Sequence, residues 1–74
     1  MAIEYFARLG NLVLARDEAR RFPGLLIQGD TLHVLLEELE EEAPASVAAE
    51  TVRSWLSAYE DMMGELGLEL PYRR

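Results

Sequence analysis

The sequence predicts an α+β fold, a two- or three-stranded antiparallel sheet at the N-terminus followed by two helices. Three observations carry this. Residues 2 to 8 and 12 to 16 have strand composition with turn residues between them. Leucines from 32 to 39 recur at helical spacing, and apolar residues from 48 to 66 recur in alternating steps of four and three. Strands gathered ahead of helices, instead of alternating with them, mark an α+β arrangement.

The first element, AIEYFAR, sets Ile3, Tyr5 and Phe6 among Glu4 and Arg8, as expected of a half-buried strand. Gly10-Asn11 offers a turn. Leu12, Val13 and Leu14 lead toward Arg16 as a second strand, with residues 17 to 21 as a polar connection. A helical reading of residues 12 to 21 stays open, because ARDEARR is rich in helix formers. In RRFPGLLIQGD, Pro23-Gly24 suits a type I or II turn, with Gly24 supplying the positive φ of a type II turn. Leu25, Leu26 and Ile27 then read as a short central strand. Gly29 breaks it, and Asp30 or Thr31 is expected to cap a helix.

The first helix runs from Leu32 to about Ala43. Leu32, Leu35, Leu36 and Leu39 form its apolar face, and Glu37, Glu38, Glu40, Glu41 and Glu42 fill most of the rest. After Pro44, Ser46 is expected to cap a second helix whose seam is Ala48, Val52, Trp55, Tyr59, Met62 and Leu66, widened by Val47, Leu56 and Met63. Gly64 and Gly67 loosen its end. The tail LELPYRR leaves extended, anchored by Leu68, Leu70 and Tyr72.

Composition narrows the function classes. Seventy-four residues make one small domain, which buries only about 60% of the surface its unfolded chain exposes, so a partner would add needed stability. There is no cysteine, hence no disulfide framework and no thiolate metal site, which fits a cytoplasmic protein. No apolar run is long enough for a membrane span, and the N-terminus lacks the pattern of a secretory signal.

The net charge is −7, but it is unevenly spread. Through Gly29, four arginines outnumber three carboxylates, giving +1; from Asp30 onward, three arginines face eleven carboxylates, giving −8. A carboxylate-dominated field repels phosphate backbones, so no direct nucleic-acid binding is expected and a basic protein is the natural partner. The glutamates also sit where they oppose the helix macrodipole, which prefers cations in the last turn.

No constellation for catalysis emerges. His33, the single histidine, stands near Asp30, but no nucleophile motif surrounds Ser46, Thr51, Ser54 or Ser57. Glu37, Glu38 and Glu41 lack the further oxygen ligands of a divalent-metal site, and no phosphate-cradling glycine motif is present. No enzyme activity, cofactor or metal is therefore expected. The competing class is a small-molecule-binding or accessory protein using His33, Asp30 and Arg21, and a third is a structural homodimer.

Asn11-Leu-Val-Leu, RRFPGLLIQGDTL and LELPYRR resemble the landmarks of a family of short bacterial proteins known only as a domain of unknown function. PGLLIQGDTL is also similar, in its order of turn, strand, Gly-Asp-Thr-Leu helix entry and acidic helix, to HicB-type antitoxins. That resemblance implies a small sheet with a packed helix that neutralises a basic RNase toxin by direct binding. The expectation is a non-catalytic acidic protein-binding module, an antitoxin or immunity protein. Glu37, Glu38, Glu41 and Glu42 would make the electrostatic contact, and Trp55, Tyr59 and Met63 would anchor a partner or a second copy.

Overall fold

The computed structural model describes residues 2–73. Its elements are β1 (Ile3–Leu9), β2 (Leu12–Asp17), β3 (Gly24–Leu26), α1 (Gly29–Glu42) and α2 (Val47–Glu65). The strands form one antiparallel sheet in the order β1-β2-β3, and the two helices follow, so the fold is α+β.

β1 and β2 form a hairpin in which Leu9 faces Leu12. That leaves Gly10 and Asn11 as the two turn residues. Gly10 has φ 58°, the positive value that a type II′ hairpin turn requires at its first central position. The register slips between Tyr5 and Ala7, leaving Phe6 as the extra residue of a β-bulge. Residues 12–17 are strand and not helix, because β2 has a ladder on each side and both satisfy its backbone.

The segment after β2 departs from expectation in three places. β3 is the edge strand and β2 the central one, since β3 pairs only with β2. Gly24 has no positive φ; it opens β3 opposite Ala15. The chain turns earlier, where the Arg20 N–H donates to the Asp17 carbonyl (2.8 Å) and the Ala19 N–H donates to the Asp17 carboxylate (3.0 Å). Finally, α1 starts at Gly29 with Gln28 at its N-cap and no side-chain cap. Asp30 sits inside the first turn instead, accepting from the Thr31 N–H (2.9 Å).

α2 has the expected cap: the Ala49 N–H donates to Ser46 Oγ (3.1 Å). It ends in a Schellman motif, in which Leu68 N–H donates to the Met63 carbonyl and Gly67 N–H to that of Gly64, with Gly67 at φ 70°.

The core lies between the helices. Leu36, Val52 and Leu56 are buried together, with Leu32, Leu39, Tyr59 and Tyr72 packed against them. Ala49 is completely buried. The buried stripe of α2 is thus Ala49, Val52 and Leu56, continued by half-buried Tyr59 and Met63, while Ala48, Trp55, Met62 and Leu66 face outward. This corrects the expected seam. α2 is apolar over more than one stripe, and the small Ala49 lets that side approach α1.

The sheet is much less covered. Among the described residues no strand lies alongside either helix, and Val13 alone of the strand residues is buried. The join is local. Gly29 is buried beneath Tyr59, so closely that a Cβ there would run into the tyrosine ring. Val13, Leu26, Ile27, Tyr59 and Pro71 line a cleft at this join.

The chain is correspondingly extended. Its radius of gyration is 13.9 Å, against about 11 Å for a compact chain of this length. Its accessible surface is 6136 Å², against about 4,600 Å² for a typical 8.4 kDa monomer.

Candidate functional site

The acidic face belongs to α1. Leu32, Leu36 and Leu39 turn toward α2, which leaves Glu37, Glu38, Glu41 and Glu42 exposed on the far side, with exposed Val34 among them. Two other groups temper its flank. Arg53 reaches Glu40 at 3.5 Å, and His33 Nδ1 lies 3.6 Å from Glu37. Glu38, Glu41 and Glu42 have no cation within ion-pair distance among the described residues. The last turn of α1 holds no basic residue, so these carboxylates face the negative end of the helix dipole uncompensated.

The three expected anchors are not gathered with them. Tyr59 packs over Gly29 and against the inter-helix core, and Met63 is half-buried one turn on. Trp55 is 58% exposed and lies on the outward stripe of α2 with Met62 and Leu66.

His33, Asp30 and Arg21 line different parts of the molecule. His33 stacks on Tyr72, with ring centroids 4.1 Å apart and planes 9° from parallel. The Tyr72 hydroxyl donates to Glu60 (2.8 Å), so the tail straps across both helices. Asp30 lines the cleft at the join, where Arg8, Asn11 and Gln28 also contribute. Arg21 lies over the Phe22 ring, 5.3 Å from its centroid. Among the described residues no group of three or more His, Asp or Glu could hold a metal ion, and no helix is long and apolar enough to cross a membrane.

Sequence reasoning missed one surface altogether. Strand alternation puts Val13 and Ala15 on one face of β2, opposite Arg8 and Tyr5 on β1 and Leu26 and Gly24 on β3. Away from the helix join this face opens into a groove of about 410 Å³, lined by Ile3, Tyr5, Phe22 and Leu26 together with Asp17 and Arg20. Phe22 is 72% exposed and Tyr5 68%. The two-residue spacing of Ile3 and Tyr5 was a signal that they share a face, but nothing in the sequence said that the face would go uncovered. The opposite face carries the Glu4–Arg16 ion pair between registered neighbours, and Leu9, Leu12 and Leu14, all at least partly open.

A family model described as a family of unknown function (DUF6959) matches residues 1–72. The chain belongs to that family. The match spans the sheet, both helices and the strap formed by Tyr72, so the family is defined over the whole arrangement described above. No curated protein and no solved structure matches the chain.

Proposed function

We propose that this protein is a non-catalytic protein-binding module whose acidic α1 face meets a basic partner, in the manner of an antitoxin or immunity protein. The observation that supports it best is the run Glu38, Glu41 and Glu42. These residues are exposed and have no opposing cation among the described residues, and Glu41 and Glu42 sit in the last turn of the helix, where they cost stability. A basic surface laid on them removes that cost. Val34, 53% exposed in their midst, supplies an apolar contact for the same partner. The −8 balance of the chain from Asp30 onward would also hasten encounter with a cationic protein.

The test uses the wild-type chain and a Glu37→Gln, Glu38→Gln, Glu41→Gln variant, both shown folded by circular dichroism. Wild type should retain a basic protein from the cell of origin and release it in salt. With that protein purified, the variant should associate about tenfold more slowly or worse at low ionic strength. Retention of the same partners by both chains, or of none by wild type, rejects the reading.

A further inference from the structure

We propose that the groove on the sheet is filled by the outward stripe of α2 from a second copy of this chain, in a two-fold dimer that contains this contact twice. This does not rest on the basic-partner reading, which uses a different face.

The first argument is area. The chain exposes 6136 Å², roughly 1,500 Å² more than a compact monomer of its mass. Two copies together carry an excess of about 3,000 Å², within the 2,000–5,000 Å² range of obligate homodimers. The excess is located where layers are missing. A three-stranded sheet needs a hydrophobic face covered to be stable, and among the described residues no helix of the same chain lies along it.

The second argument is charge. The residues through Gly29, which form the sheet, carry +1, whereas α2 carries Glu50, Glu60, Asp61 and Glu65 against Arg53 alone. Sheet against sheet or helices against helices would bring like-signed halves together. Sheet against the partner's α2 brings opposite signs together, with Arg20, which lines the groove beside Asp17, toward an acidic helix.

The third argument is shape. The groove walled by Ile3, Tyr5, Phe22 and Leu26 is concave and mostly apolar, with Asp17 and Arg20 also in its lining, and Trp55, Met62 and Leu66 form an exposed apolar stripe on the same chain. Each copy carries both surfaces, so a two-fold pairing that engages both at once closes the assembly. A large indole entering an apolar pocket is the usual form of an interface anchor.

Trp55 is the single tryptophan, so its fluorescence reports on the contact directly. Sedimentation of the wild-type chain across the micromolar range should show a dimer, and dilution should move Trp55 emission to the red as the indole returns to water. Phe22→Glu and Trp55→Glu should each weaken self-association by about 30-fold or more, the equivalent of an anchor residue, and each should keep its circular-dichroism spectrum. If Phe22→Glu fails to fold, Tyr5→Glu in the same groove replaces it. Mixing the two variants should restore dimers, because a mixed pair regains one intact contact of groove with Trp55. A monomeric wild type, a dimer whose tryptophan emission ignores dilution, or a mixture that stays monomeric overturns the proposal. None of these outcomes bears on the acidic face, whose glutamates are untouched.

Discussion

Gly29 shows how much one missing side chain decides. It opens α1, a position where a helix-favouring residue is normally better, yet it is buried because the Tyr59 ring occupies the place of its Cβ. That contact joins the start of α1 to the latter half of α2 beside the sheet. Gly29→Ala must push the ring aside, and should destabilise the chain by about 1–3 kcal/mol in urea unfolding. In a Tyr59→Ala background the same change should cost nothing or stabilise slightly, since the obstruction is gone and alanine is the better helix former. Equal costs in both backgrounds would show that the ring is not the reason. The sequence marked Gly29 only as a strand breaker. The ring that requires it stands thirty positions away, beyond the reach of any local rule.

At the level of elements, α1 is a helix with its charges on the wrong end. Its first turn holds Asp30, which suits the dipole, but its last turn holds glutamates and no base. Glu42→Lys should therefore raise stability by about 0.3–1 kcal/mol at low salt, with the gain shrinking as salt is added. No gain at low salt would mean that the end of the helix is insensitive to the dipole. α2 offers the complementary lesson. Its N-cap was legible, because Ser46 acts through a neighbour three residues on, whereas Gly67, read only as loosening the end, proves to close the helix. Its buried stripe was not. Leu56 is 4% exposed and Trp55 58%, although either fits an apolar pattern in a helix this rich in apolar residues. The choice between adjacent stripes belongs to α1 and to the small Ala49, not to α2 alone.

For the whole molecule, the decisive fact is that among the described residues sheet and helix pair meet only at their join. A monomer built this way has two small hydrophobic layers, one of them hardly closed, and should depend on association for stability. The thermal midpoint should accordingly rise with protein concentration in calorimetry, and Trp55→Glu should abolish that dependence while leaving a cooperative transition at the dilute-limit temperature. A midpoint independent of concentration in the wild type would indicate that the monomer is sufficient by itself.

What the sequence determined by itself was whatever local physics controls. Backbone and side-chain preferences placed the first hairpin at Gly10-Asn11, put strands before helices, and set Ser46 at the head of α2. The separation of charge between sheet and helices was likewise readable, since it follows chain order. Tertiary structure decided the rest: that β2 and not β3 is central, that α2 buries Leu56 and displays Trp55, and that the face carrying Tyr5 is left open. Periodicity shows that a residue belongs to an apolar face, but whether anything covers that face depends on where other elements end up, and that is a property of the whole chain's packing.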